Sequence, residues 1–85
     1  MNASDALDDA IVTVALKPEW SKGYYRLAVA RLNLGRFEDA ALAAWDGLQK
    51  DEFNDELRSL LQKCVKKGRK DYLEKQKKDE GASSS

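Results

Sequence analysis

The sequence predicts an all-α fold, and three observations support this. Leu and Ala dominate the first two thirds of the chain, Pro occurs once and β-branched residues are few, a composition that favours helix over strand. Apolar residues near the C-terminal end recur at helical intervals: Leu57, Leu60, Leu61, Cys64 and Val65. Two segments match each other at an offset of 34 residues. With 85 residues, the chain forms one domain at most, with a small core.

Four helices are predicted from start and stop signals. The first has Ser4 as its N-cap and acidic residues in its early turns. The second ends at Gly35, which suits the C′ position, and the third follows a turn at Phe37. The fourth begins near Asn54, a favourable N-cap residue. The predicted helices cover residues 4–16, 21–34, 38–50 and 54–74.

Charge is unevenly distributed along the chain, although the formal net charge is zero. Residues 1–56 carry 6 basic and 11 acidic side chains, whereas residues 57–85 carry 9 basic and 4 acidic ones. The last segment, 75–85, is basic, then acidic, and ends in Gly-Ala-Ser-Ser-Ser. This composition predicts a disordered tail after a helical region that ends near residue 74.

The internal match has the period of a known helical repeat. The pairs that align at the 34-residue offset are Ala6 with Ala40, Ala10 with Ala44, Ile11 with Trp45, and Val14 with Leu48. Between them, Tyr24-x2-Leu27-Ala28 is followed by Gly35 in a turn and by Ala40-x3-Ala44. Over about residues 4–72 the chain therefore resembles the tetratricopeptide-repeat (TPR) family. The resemblance implies a solenoid of antiparallel helix pairs, in which small residues allow close helix approach.

Four positions depart from the family pattern. Arg31 replaces the usual Tyr, Ala44 the usual Phe, Gly47 the usual Ala and Glu52 the usual Pro. The neighbouring Trp45 is expected to supply some of the missing bulk. We expect Trp45 to lie in the core or at an interface, because it aligns with an apolar residue of the first helix.

The resemblance implies about one and a half repeats, in a partial TPR domain over residues 1–74. The first helix corresponds to the second helix of a repeat, residues 21–50 form a full repeat, and residues 54–74 form a long C-terminal capping helix. We therefore expect this to be the C-terminal piece of a longer repeat domain. The uncovered face of the first helix predicts self-association of copies. This face comprises Leu7, Ala10, Ile11 and Val14.

Two cations stand one helical turn apart near the start of the second helix. Lys22 and Arg26 are at positions i and i+4, so they share a face, where like charges cost only a few tenths of a kcal/mol. The pair is therefore tolerable without a function. One interpretation is a solvated pair in which Arg26 reaches Asp55 or Glu56 at the start of the fourth helix.

A second interpretation comes from a closer resemblance. Lys-Gly-Tyr-Tyr-Arg at 22–26 and Leu-Gly-Arg-Phe-Glu-Asp-Ala at 34–40 resemble the third repeat of the carboxylate-clamp TPR co-chaperones. Those proteins bind the C-terminal Glu-Glu-Val-Asp of the seventy- and ninety-kilodalton heat-shock chaperones. The resemblance implies that Lys22 and Arg26 contact peptide carboxylates and that Tyr25 and Val29 flank the peptide. The family takes a further Lys and two Asn from preceding repeats, which this chain lacks.

Other function classes have little support in the sequence. With no His and one Cys, neither a zinc site nor a His-based catalytic site is expected, and we predict no catalytic residue, metal or cofactor. Cys64 is expected to be a buried, reduced thiol. No secretory signal or membrane span is evident, so a cytoplasmic location is predicted.

A basic run in the fourth helix raises the question of nucleic acid. Nucleic-acid binding requires a basic face with stacking aromatic residues, but only Tyr72 is near, and Asp71 and Glu74 interrupt the charge. We therefore predict a solvated helix face, with neither nucleic acid nor membrane as partner. The run comprises Lys63, Lys66, Lys67, Arg69 and Lys70.

The sequence thus predicts a protein-interaction module and not an enzyme. The favoured partner is the acidic C-terminal peptide of a heat-shock chaperone, bound through Lys22, Tyr25, Arg26 and Val29. The alternative is a generic or self-associating TPR scaffold that binds another protein through hydrophobic surface near Ile11 or Trp45.

Overall fold

Four helices in sequence make up the fold, as expected for an all-α protein. A computed structural model describes the backbone of residues 3–84 and the side chains of residues 5–75. Within this part of the chain there is no strand. The helices are α1 (Ala3–Leu16), α2 (Ser21–Asn33), α3 (Phe37–Lys50) and α4 (Asp55–Ser84).

The connections between helices follow the predicted turn chemistry. Leu34 is the C-cap of α2, and Gly35 follows with a φ of 77°, in the left-handed region that glycine adopts without strain. The Arg36 and Gly35 N–H groups donate to the carbonyls of Arg31 and Leu32, which is the Schellman arrangement. Gly35 therefore ends α2 as predicted.

The fourth helix has the predicted N-cap. Asn54 accepts a hydrogen bond on Oδ1 from the Leu57 N–H at 3.0 Å, which satisfies one of the free donors of the first turn. The Asn54 Nδ2 donates to Asp51 Oδ2 at 3.3 Å. Asn54 thus fixes the start of α4 beside the end of α3.

The helix boundaries agree with the sequence prediction to within one residue, except at the end of α4. Phe37 is the first residue of α3 and not a turn residue. The fourth helix continues to Ser84 through the segment 75–85, because the Lys, Gln and Glu residues after Tyr72 have good helix propensity. The side chains of residues 76–85 lie outside the described residues, so the disordered tail stays a prediction. The side chain of Ser4, the predicted N-cap of the first helix, also lies outside them.

The packing is that of successive helices laid side by side. The second helix contacts α1, α3 and α4, and α3 also contacts α4. Small residues line the contacts: Ala28, Ala40 and Ala44 are completely buried. Ala28 and Ala40 are thus buried in the contacts between helices, as the prediction of close helix approach requires.

One departure from the family pattern has a direct structural reason. A Cβ atom at Gly47 would lie 2.8 Å from Tyr24 Cβ and 2.9 Å from Leu57 Cδ1, closer than real Cβ atoms approach. Tyr24 and Leu57 are themselves buried, and the Tyr24 hydroxyl donates to the Pro18 carbonyl at 2.7 Å. Gly47 is therefore the position at which both α2 and α4 pack closely against α3.

The exposure of two predicted packing residues differs from expectation. Trp45 is 54% exposed, so it is wrong to place it in the core, and its role at an interface stays a prediction. On α1, Leu7 and Ala10 are buried and pack into the core cluster with α2, whereas Ile11 is 46% exposed. Only part of the predicted uncovered face is therefore open.

Candidate peptide-binding groove

The second helix positions the two cations at the edge of a groove. Lys22 and Arg26 are exposed, while Tyr24 and Leu27 on the same helix are buried against its neighbours. The buried pair fixes the rotation of α2, and this rotation directs the face of Lys22 and Arg26 outward.

The groove lies between the first turns of α2 and the start of α4. Its volume is about 430 Å³. The side of α2 contributes Lys22, Tyr25 and Arg26, and the start of α4 contributes Asn54, Asp55 and Glu56. An adjoining groove of about 370 Å³ continues along α4 past Tyr25. Residues Ser59, Leu60 and Lys63 line that continuation.

Neither cation is neutralised by an ion pair within residues 5–75. The Arg26 guanidinium carbon lies 5.3 Å from the centroid of the Trp20 ring, a cation–π contact that leaves the charge in place. The expected ion pair from Arg26 to Asp55 or Glu56 is absent, although all three line the same groove. The electrostatic result is a groove with cations on the α2 wall and carboxylates on the α4 wall.

A second groove lies on the other side of the α2 ridge, against α1. Its volume is about 350 Å³, and small side chains of both helices form much of its wall. Tyr25 and Arg26 border it together with Val29. Of the four predicted site residues, the structure therefore brings Lys22, Tyr25 and Arg26 into one groove, while Val29 lies in the neighbouring groove.

The sequence analysis missed several groove residues. Asn33 lines the α1–α2 groove and continues the face of Lys22, Arg26 and Val29 at intervals of four, three and four residues, a helical signal that was available. Asn54 and Ser59 were not predictable in this role, since only the packing of α4 on α2 brings them beside the cations.

The single thiol lies away from both grooves, in the packed face of α4. Cys64 is 1% exposed and belongs to the core cluster. Burial raises the pKa of the Cys64 thiol, and the nearby Lys63 and Lys67 charges only partly offset this effect. The thiol is therefore protonated at neutral pH, as expected of a packing residue.

The described part of the chain contains neither a cluster of metal-ligand side chains nor a membrane-spanning helix. Residues 5–75 hold no group of three or more His, Cys, Asp or Glu side chains arranged for a metal ion. No helix within residues 3–84 is long and apolar enough to cross a membrane.

The chain is similar to several known proteins. The chain is 48% identical over 58 residues to the protein STIP1 homolog of Dictyostelium discoideum, and 52% identical over 58 residues to the Hsp70-Hsp90 organizing protein of Triticum aestivum. It is 40% identical over 70 residues to tetratricopeptide repeat protein 28 of Homo sapiens. None of these names is that of an enzyme. No protein-family model matches the chain.

The matches cover much of this chain and little of the relatives. They span 68% of the chain for the first two proteins and 81% for the third. The chain corresponds to about 10% of the length of the first two and 3% of the third. The similarity therefore concerns a repeat-sized segment of each relative.

Proposed function

Because the chain is a tetratricopeptide-repeat protein by sequence similarity and by its packed helix pairs, we propose that it binds the acidic C-terminal peptide of a heat-shock chaperone. The observation that carries this proposal is the pair Lys22 and Arg26, which is exposed, unpaired within residues 5–75, and at the wall of a groove. One relative is named for organizing Hsp70 and Hsp90, which supports the class of partner.

The chemistry of a terminal aspartate matches this wall of the groove. Such a residue carries two carboxylates close together, one on the side chain and one at the chain end. Lys22 offers a point charge and Arg26 a planar fork with several donors. Charge-assisted hydrogen bonds of this kind are worth about 1.5–3 kcal/mol when they are well formed.

The charges on the opposite wall of the groove determine which way the carboxylates of the peptide face. Asp55 and Glu56 are exposed carboxylates on α4 and repel acidic side chains. The carboxylates of the ligand therefore face α2, and the half-buried ring of Tyr25 supplies an apolar contact for the Val before the terminal Asp. Val29, in the adjoining groove, flanks the peptide further along.

Alanine variants of the two cations test the proposal. The full chain is titrated with a fluorescent peptide ending in Glu-Glu-Val-Asp, and we expect Lys22→Ala and Arg26→Ala each to weaken binding about tenfold or more, the equivalent of about 1.4 kcal/mol. Lys67→Ala is the matched control, since Lys67 is an exposed cation on α4 that lines neither groove. Unchanged binding in both variants would refute the proposal.

Exposed hydrophobic residues support a second candidate, a scaffold repeat that binds another protein. Trp45 and Ile11 are about half exposed, at 54% and 46%, and Leu42 on α3 is 58% exposed. Binding through these hydrophobic side chains would be lost in Trp45→Ala or Ile11→Ala and would not weaken with salt, whereas binding through Lys22 and Arg26 would weaken with salt. In either case the proposed role is protein binding in the cytoplasm.

A further inference from the structure

The two outer helices of the fold carry opposite charges. Helix α1 contains Asp5, Asp8 and Asp9 and no basic residue. The segment 63–70 of α4 contains five basic residues and no acidic one. Helix α1 packs on α2 alone, and α4 packs on α3 and α2, so the charged helices do not contact each other within residues 3–84. Each of these two helices therefore has a side that no other helix within residues 3–84 covers.

The open side of α1 combines an acid with large apolar residues. Asp8, Val12 and Leu16 are exposed and follow one another at intervals of four residues, so they share the side opposite the buried Leu7 and Ala10. Val12 is 55% exposed and Leu16 is 77% exposed. An apolar stripe of this kind is costly to leave in water.

The open side of α4 has the complementary composition. Lys66, Arg69, Lys70 and Leu73 are exposed, are spaced three, one and three residues apart, and line a shallow groove of about 330 Å³. Leu73 is 56% exposed, and Glu74 also lines the groove. The groove therefore combines three cations with an exposed apolar residue, and the α1 stripe combines an acid with exposed apolar residues.

We propose that a second copy of this chain docks head to tail, with its α1 stripe (Asp8, Val12 and Leu16) on the α4 groove (Lys66, Arg69, Lys70 and Leu73). Opposite charges select this register over α1 on α1 or α4 on α4, in which like charges would meet. A contact between two single helices buries less than a standard interface, so the association is weak and depends on concentration. This surface is separate from Lys22 and Arg26, and the inference does not depend on the proposed peptide binding.

Sedimentation equilibrium of the full chain tests this inference. We expect the mean mass to rise with concentration between about 10 μM and about 1 mM, because a small interface gives a weak dissociation constant in this range. We also expect the association to weaken between about 0.02 and about 0.5 M salt, because exposed charges are screened.

Charge reversal identifies the surfaces. Asp8→Lys and Lys70→Glu should each weaken association about tenfold by placing like charges opposite each other. Asp8 is chosen over Asp9, which lines the groove beside Arg26. Asp46→Lys is the matched control: it makes the same change of charge at an exposed position on α3. Far-UV circular dichroism confirms that each variant is folded.

The decisive variant carries both reversals. Asp8→Lys with Lys70→Glu again places opposite charges across the contact, so association should recover, which general loss of folding cannot produce. An equimolar mixture of the two single variants should also associate better than either alone. A chain that stays monomeric at the highest concentration, or association that Asp8→Lys and Lys70→Glu leave unchanged, would overturn the inference.

Discussion

At the residue scale, replacing two helical glycines by alanine is expected to change the stability of the fold in opposite directions. In Gly47→Ala the new methyl group meets Tyr24 Cβ at 2.8 Å, so the variant should lose about 1–3 kcal/mol of stability to overpacking. In Gly23→Ala the nearest atom is the Thr13 methyl carbon at 3.4 Å, an ordinary contact. Gly23→Ala should therefore gain up to about 1 kcal/mol from helix propensity.

Urea denaturation of both variants measures this difference. The two chains differ from the parent by the same single carbon, so any effect of composition cancels between them. Equal stability of Gly47→Ala and the parent chain would show that α2 and α4 do not meet at Gly47 as described.

Cys64 is the residue whose chemistry depends most on folding. Its burial raises the thiol pKa, so the reactive thiolate is scarce at neutral pH and reagents cannot reach the sulfur. A disulfide reagent should therefore react far more slowly with the folded chain than with the chain in urea. Equal rates in the two conditions would contradict the burial of α4 on α3.

The Cys64 thiol also predicts how the stability of the folded chain changes with pH. A folded-state pKa above the unfolded value means that the folded chain holds the proton more tightly. The contribution of the protonated Cys64 thiol to the free energy of unfolding is therefore complete below the unfolded-state pKa, and it is lost as pH rises through the folded-state pKa. Above pH 9 the parent should lose stability relative to Cys64→Ala, and parallel pH profiles in chemical denaturation would disprove this.

At the element scale, the N-cap of α4 holds the helical turn that forms one wall of the groove. Asn54 Oδ1 accepts the Leu57 N–H, and the first turn that it holds carries Asp55 and Glu56 into the groove wall. Asn54→Ala should cost about 1 kcal/mol. Thermal unfolding measures the loss, and Asn33→Ala is the matched control on an exposed position of α2 that caps no helix. A loss no larger than that of the control would argue against the cap.

The elements show which features a sequence can predict. Gly35 and Asn54 were predictable because caps depend on a few neighbouring residues and on their own side-chain chemistry. The exposure of Trp45 was not, because it depends on what packs across α3 and not on the repeat register. The groove was predictable in part. Lys22 and Arg26 share a helix face, and Asp55 and Glu56 were expected near Arg26, whereas Asn54 and Ser59 join them only through the packing of α4 on α2.

At the scale of the whole molecule, the arrangement separates two kinds of surface. The cations of α2 lie beside the start of α4, where we propose that a ligand with carboxylates binds. The surfaces proposed for self-association lie elsewhere, on α1 and on the basic segment of α4 that contains Lys66, Arg69 and Lys70. Each surface can therefore be altered without changing the other, and the variants proposed for one serve as controls for the other.

The central claim is that Lys22 and Arg26 bind a terminal carboxylate, and a solution NMR titration tests it most directly. The full chain is titrated with a pentapeptide ending in Glu-Glu-Val-Asp and, in parallel, with the same peptide amidated at its C-terminus. We predict shifts centred on Lys22, Tyr25, Arg26 and Val29 that are strongly reduced with the amide. No shifts, or equal shifts with both peptides, would contradict carboxylate recognition by this groove.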